Sequence, residues 1–204
     1  MKLYFVRHGE TSWNKLKRVQ GHADIPLNEY GFYLAEQTAN GLKDTPIDVA
    51  YTSPLIRARQ TADTILKGRD IPVIEDERIQ EIGFGEAEGM ECREELRTPE
   101  VEEFGKFFWD PANYKVPKGG ESIKELTDRV GGFLQELFTR EDLKDSSVLV
   151  STHGAALKAM MNYIKGNTDE GNFWDGGVAR NCAVSEVLVE NCVPKVLKED
   201  VVYN

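Results

Sequence analysis

The stretch Leu3-Tyr4-Phe5-Val6-Arg7-His8-Gly9-Glu10-Thr11 runs from four apolar residues into an arginine, a histidine and a glycine. A short apolar run closed by a turn residue predicts a buried strand. Arg7 and His8 then fall at its carboxyl end. The same pattern returns in Val148-Leu149-Val150-Ser151-Thr152-His153-Gly154, where a second histidine precedes a second glycine. Val49–Tyr51 predicts another short strand. Ser53-Pro54 follows it and reads as an N-cap with proline at the first helical position, opening a helix that runs to about Lys67 and stops at Gly68. Further helices are predicted over Glu29–Leu42, over Ser122–Phe138 (Ile123, Leu126, Val130, Phe133, Leu134 and Leu137 on one face), and from Gly154 to about Ile164. Ser185–Val189 and Lys195–Lys198 read as late strands. This alternation predicts an α/β fold, a three-layer α/β/α sandwich around a mostly parallel sheet. Ligands of such sheets bind at the carboxyl ends of the strands. Arg7, His8, His153 and Arg57, in the first turn of its helix, all fall there.

Composition narrows what such a site does. The chain has 204 residues, enough for one domain, and a formal net charge of −10. That charge makes it a poor partner for nucleic acid or an anionic membrane surface. An anionic ligand must therefore be captured by a local positive pocket. No signal-peptide pattern and no membrane-length apolar run are present, so a cytoplasmic location is expected. Cys92, Cys182 and Cys192 lack C-x-x-C spacing and read as reduced thiols. Residues 84–121 differ from the rest. They are rich in acids (Glu86, Glu88, Glu91, Glu94, Glu95, Glu100, Glu102, Glu103) and in aromatics (Phe104, Phe107, Phe108, Trp109, Tyr114). We read them as a partly helical lid inserted in a single domain spanning residues 1–204.

Phosphate chemistry accounts for this set of residues. A phosphate monoester is a dianion that repels a nucleophile, and arginine both neutralises it and binds its oxygens in bidentate fashion. Arg57, at a helix N-terminus, gains further from the dipole and free N–H groups there. Arg59 and Arg69 read as surface residues. A histidine nucleophile must be neutral at the attacking nitrogen, and a second histidine can stabilise charge on the phosphoryl oxygens. A leaving alkoxide needs an acid, but periodicity alone does not choose among Glu75, Asp76, Glu77, Glu81 and Glu86. Gly9 is expected to let the backbone turn tightly near a ligand. No H-x-x-x-H or H-E-x-x-H spacing occurs, so neither a metal nor another cofactor is expected.

Arg7-His8-Gly9-Glu10-Thr11 with Trp13-Asn14 resembles the phosphohistidine motif of the histidine phosphatase (phosphoglycerate mutase-like) superfamily. Gln20-Gly21-His22-Ala23-Asp24-Ile25-Pro26-Leu27 with Gly31, Ser53–Ala62, Gly119-Gly120-Glu121-Ser122, Ser151–Gly154 and Asn181–Val184 resemble its later landmarks, in order. The resemblance implies that His8 becomes phosphorylated. It implies that Arg7, Arg57 and His153 clamp the phosphoryl group and that Glu81 is the general acid and base. Asn14, Thr11, Gln20, Gly21 and Gly154 are implied as substrate-binding residues, and His22 as a loop residue without a catalytic role.

The resemblance also bears on the reaction. Similar mutases carry an arginine after the catalytic glutamate, a lysine some ten residues on, and an arginine pair in the insertion. Here Ile82 and Cys92 stand at or near the first two places, and residues 104–118 contain no arginine. Hydrolysis of a small phosphate ester is therefore expected. A cofactor-dependent phosphoglycerate mutase and a non-catalytic phosphate-binding module remain the alternatives. An acidic lid should repel polyanions, and its aromatics either meet an apolar alcohol or simply pack the lid down. The oligomeric state is left open, with a homodimer among the options.

Overall fold

Apolar residues on both faces of β1 (Lys2–Arg7) and β4 (Ser147–Thr152) place these strands at the centre of a six-stranded sheet. Such two-sided burial is typical of parallel strands covered by helices on each side. The computed structural model describes every residue except Glu94, Arg97 and Asn204; Glu94, counted above among the acids of residues 84–121, thus lies outside it. The remaining strands are β2 (Val49–Thr52), β3 (Val73–Glu75), β5 (Val184–Glu190) and β6 (Val193–Val201), and the order is β3-β2-β4-β1-β5-β6. The four strands from β3 to β1 are mutually parallel, while β5 runs antiparallel to both β1 and β6.

Alternation along β1 divides the core in two. Leu3 and Phe5 join Val148, Val150 and the apolar faces of α5 (Ile123–Phe138) and α6 (Gly154–Lys165). Tyr4 and Val6 join Leu149, Ala50 and the side chains Leu42, Ile65 and Leu66 at the ends of α2 (Glu29–Gly41) and α3 (Ile56–Ile65). Ser122 and Glu125 close a capping box on α5, fixing its start where the sequence places it. The expected three-layer sandwich is therefore observed. Among the described residues no helix is long and apolar enough to cross a membrane.

Two local expectations fail. The helix after β2 starts at Ile56, with Leu55 at its N-cap, so Ser53 is not its cap and Pro54 is not its first residue. Asp24 takes the capping job from a distant loop: its Oδ1 accepts from the Ile56 N–H at 2.6 Å. A one-turn helix, α1 (Ser12–Lys15), follows the first glycine and was not foreseen; Thr11 caps it. Residues 84–121 contain α4 (Pro99–Trp109), and their buried aromatics Phe84, Phe104 and Phe107 belong to the larger core.

Candidate active site

Strand register brings the first two histidines of the site together. Arg7 pairs with Thr152 across β1 and β4, and Thr52 pairs with Ser151 across β2 and β4. The residues just beyond these pairs, His8, His153 and Ser53, are consequently neighbours. The His8 and His153 ring centroids lie 5.2 Å apart. His8 is buried and its Nδ1 lies 2.7 Å from the Gly9 carbonyl oxygen. A carbonyl only accepts, so Nδ1 carries the proton and Nε2 keeps its lone pair. Burial, then the charges of Arg57 and Arg7, pushes the His8 pKa well below its ordinary 6.5. The ring is therefore neutral near pH 7, with Nε2 unprotonated.

Gly9 is a glycine for a different reason from the one expected. A Cβ there would lie 2.6 Å from the Gly31 carbonyl oxygen of α2, and a Cβ on Gly31 would strike the Glu10 carbonyl. The two glycines let α2 pack directly on the turn that carries His8.

His153 is wholly buried, and its pKa is also pushed well down, first by burial and then by Arg57. Its Nε2 lies 2.7 Å from Ser53 Oγ, which also accepts from the Leu55 N–H. We assign the Ser53 hydroxyl proton to that Nε2, which leaves the proton of the neutral ring on Nδ1. Arg57 donates to the Gly21 and Ala23 carbonyls at 2.7 and 2.8 Å, and Arg7 donates to the Ala179 carbonyl at 2.6 Å. Three buried nitrogens, Arg7 Nε, Arg57 Nε and His153 Nδ1, have no protein partner among the described residues. Orphaned buried donors are rare and call for an explanation; an anion held beside His8 would satisfy them.

Glu81 reaches the same place from the turn after β3. Its Oε1 accepts from the Ile82, Ala155 and Ala156 N–H groups at 3.0, 3.1 and 3.0 Å. The carboxylate is thus seated on the N-terminus of α6, where free N–H groups and the dipole favour negative charge. Its backbone is fixed by Arg129, which donates to the Arg78, Gln80 and Glu81 carbonyls at 2.8, 2.8 and 2.9 Å and pairs with Glu121 at 2.5 Å. His22 donates from Nε2 to the same Glu81 carbonyl at 2.8 Å, so it ties the loop of residues 20–24 to the acid's backbone.

A cavity of about 310 Å³ opens over these groups. Arg7, His8, Arg57 and Glu81 line it, with Asn14, Gln20, Gly21 and Gly154. Two of the expected site residues do not. His153 is fully buried beside His8 with its Nδ1 unpartnered among the described residues, and Thr11 is fully buried beneath the lining, its hydroxyl between Asn14 Oδ1 and Gln20 Oε1 at 3.1 and 2.9 Å. Thr11 therefore supports two lining side chains. Among the described residues, the acids of 84–121 are also absent from the lining. Glu86 pairs with Lys118, Glu103 with Lys106 and Lys115, and Glu88 accepts from the His22 and Phe84 N–H groups. What this segment presents to the cavity is Phe84, Cys92, Phe104, Phe107 and Phe108, while its Glu88 acts on Arg57 from outside the lining. Lys17 and Arg18 face the cavity instead, and neither was singled out in the sequence. Arg69, read as a surface residue, is half-buried and donates to the Leu42 and Thr45 carbonyls. Among the described residues no group of three or more His, Cys, Asp and Glu side chains is placed to hold a metal.

Comparison with known proteins bears on the family of the chain. The family model for the histidine phosphatase superfamily (branch 1) matches residues 3–200. The chain is 37% identical over 165 residues to the uncharacterized phosphatase PhoE of Bacillus subtilis, covering 81% of this chain and 78% of that one. It is 34% identical over 198 residues to phosphoserine phosphatase 1 of Hydrogenobacter thermophilus, covering 97% and 91%. A 2,3-bisphosphoglycerate-dependent phosphoglycerate mutase of Cytophaga hutchinsonii is also among the relatives. The solved structure of Bacillus stearothermophilus YhfR superposes with a TM-score of 0.89 at 33% identity, over 98% of this chain and 97% of that one. With its fold, its ordered landmarks and its relatives in agreement, the chain belongs to the histidine phosphatase superfamily.

Proposed function

We propose that this protein is a metal-independent phosphatase that hydrolyses small phosphate monoesters through a phosphohistidine on His8. One observation carries the reading: a buried, neutral His8, whose Nε2 lone pair has no partner among the described residues, shares a cavity with two guanidinium groups and the Glu81 carboxylate. Nε2 attacks phosphorus as the ester P–O bond breaks, and the alcohol oxygen leaves with its electron pair. Arg7, Arg57 and the Nδ1–H of His153 meet the phosphoryl oxygens, where charge develops in transit. Glu81, as the protonated carboxyl, gives its proton to the leaving oxygen. As carboxylate it then takes one from water, which attacks the phosphohistidine and releases phosphate. Asn14 supports this picture. Its Oδ1 is occupied by Thr11 while its amide nitrogen has no protein acceptor among the described residues, so it has a donor to offer.

A mutase reading draws on one observation, the two additional cations Lys17 and Arg18 in the lining. Against it, the apolar part of the lining is built from Phe84, Phe104, Phe107, Phe108 and Trp174, which offer no side-chain hydrogen bonds to the hydroxyls of a sugar acid except at the tryptophan edge. That nitrogen is already committed to the Phe107 carbonyl at 2.6 Å.

The test is release of p-nitrophenol from p-nitrophenyl phosphate in EDTA, beside a His8→Ala control. Release by the wild type and none by the variant is expected. Activity that survives in the variant removes His8 from the nucleophile's role. Isomerisation of 3-phosphoglycerate faster than its hydrolysis would replace the phosphatase reading by the mutase one.

A further inference from the structure

The cavity lining is far from electrically typical of this chain. Four cationic side chains, Arg7, Lys17, Arg18 and Arg57, face one carboxylate, Glu81, in a protein whose net charge is −10. Arg57 lies fully buried and Arg7 half-buried beside His8, and a phosphoryl dianion held there would match them. Lys17 and Arg18 are exposed, on the solvent side of the same cavity, and a simple phosphate ester leaves them unmatched.

These two residues are held as a rigid element. The Lys17 N–H donates to the Asn14 carbonyl at 3.0 Å, and the Lys17 carbonyl accepts from the Cys92 N–H at 2.8 Å. Arg18 forms an isolated antiparallel bridge with Glu91, and Val19 exchanges bonds with Met90 and Gly89. Lys17 adopts φ of 51°, the left-handed region that side-chain-bearing residues seldom occupy. Such strain persists where surrounding structure enforces it, and it clusters at functional sites. Neither cation is strongly spent within the protein. Arg18 meets Glu91 only at 3.9 Å, while Glu91 is in closer contact with Arg93, and among the described residues Lys17 has no carboxylate partner.

Resting on the phosphatase reading above, we propose that Lys17 and Arg18 form a second anion subsite that selects phosphate esters whose alcohol is apolar near the phosphate and carries a carboxylate at its far end. The phosphoryl group sits on His8, the apolar body lies along Phe84, Phe104, Phe107 and Phe108, and the carboxylate reaches the two cations. The requirement is a specific combination of charge and shape. A short polyanion leaves the aromatic wall uncovered, and an uncharged aromatic ester leaves the cations unmatched.

A pair of esters isolates the subsite: benzyl phosphate and its 4-carboxy derivative, whose leaving groups are chemically alike at the departing oxygen. The wild type is expected to favour the carboxylated ester in kcat/KM by about tenfold, the sum of two solvent-exposed ion pairs. The preference should shrink in molar salt. In the Lys17→Met, Arg18→Met double variant, which keeps apolar stems in place, the ratio should fall to about one. A ratio at or below one in the wild type, or a ratio that survives in the double variant, overturns the subsite. Equilibrium binding of the matching phosphonates separates this result from failure of the phosphatase reading. Tighter binding of the carboxylated phosphonate without hydrolysis of either ester sinks hydrolysis and keeps the subsite; equal binding with hydrolysis of both esters does the reverse.

Discussion

Replacing Arg129 by methionine tests how the acid is held, because Arg129 touches the backbone of Glu81 and not the cavity. Its guanidinium makes bonds to the Arg78, Gln80 and Glu81 carbonyls and a two-point pair with Glu121, all between 2.5 and 2.9 Å. Arg129 and Glu121 side chains are only 21% and 17% exposed, so water replaces the lost partners poorly. Five bonds at about 1 kcal/mol each would give about 5 kcal/mol, and breaking a buried ion pair costs about 3–5 kcal/mol. Partial exposure favours the lower end. We expect a loss of about 3 kcal/mol, or about 6–12 °C in Tm for a chain of this size. The carboxylate itself remains seated on the N–H groups of Ile82, Ala155 and Ala156, so it should shift slightly and not leave. Turnover of benzyl phosphate, whose alkoxide needs a proton, should fall about tenfold, and p-nitrophenyl phosphate less than about threefold. Arg129→Lys should recover part of the stability and little of the alkyl ester activity, since lysine lacks the planar fork. Calorimetry and steady-state kinetics on both esters decide it. Equal losses on the two esters would reduce Arg129 to a stabilising residue, and a Tm change under about 2 °C would mean that the network is not desolvated as described.

Other outcomes follow from the same geometry. Glu81→Gln should slow benzyl phosphate by about a hundredfold or more and p-nitrophenyl phosphate by under about tenfold, measured as kcat; parallel losses would take the acid role from Glu81. Ser53→Ala removes the hydroxyl that holds His153 Nε2 and accepts from Leu55, so stability should drop by about 1–2 kcal/mol in urea melts, with a fall in kcat for both esters. Because burial, Arg57 and Arg7 depress the His8 pKa below 6.5, activity should persist below the pH at which an ordinary imidazole protonates, and the acid limb of kcat/KM reports it. The linked stability has a definite sign. On acidification the unfolded chain gains protons on these histidines near 6.5 while buried His8 and His153 resist, so the stability present above 6.5 is lost as pH falls below it, and Tm should decline there. Gly31→Ala should destabilise by about 1–3 kcal/mol by driving a methyl into the Glu10 carbonyl, read from the denaturation midpoint.

The parts of this site legible in the sequence are those whose signal is local. His8, Arg7 and His153 announce themselves because each directly follows or ends an apolar run, and Arg57 because it opens a helix. Glu81 needed the family resemblance: its partners Ala155, Ala156 and Arg129 lie far along the chain, and no periodicity marks them. Ser53 was misread because serine before proline is a common helix start, whereas its hydroxyl is taken by His153 and the cap comes from Asp24. Lys17 and Arg18 sit in a Lys-Leu-Lys-Arg run that reads as ordinary solvated surface; only the bridge to residues 89–92 turns them toward the cavity. The acids of residues 84–121 misled in the opposite direction. Composition counted their charge, but Glu86, Glu88, Glu91 and Glu103 are engaged by partners, and none of the described acids of the segment lines the cavity.

The cavity floor and its far wall are supplied by separate lengths of chain. The groups we propose to handle phosphorus stand on strand ends and on α3, and Glu81 is fastened by α6 and Arg129 with no help from α4. The aromatic wall comes mostly from residues 84–108, a connection that contributes no strand to the sheet. Substitutions in that connection can therefore change which alcohols are accepted while the phosphoryl-handling residues stay where they are. A lineage built this way can diversify its diet without relearning its chemistry, and grafting the 84–121 segment between relatives is the natural way to exchange their preferences.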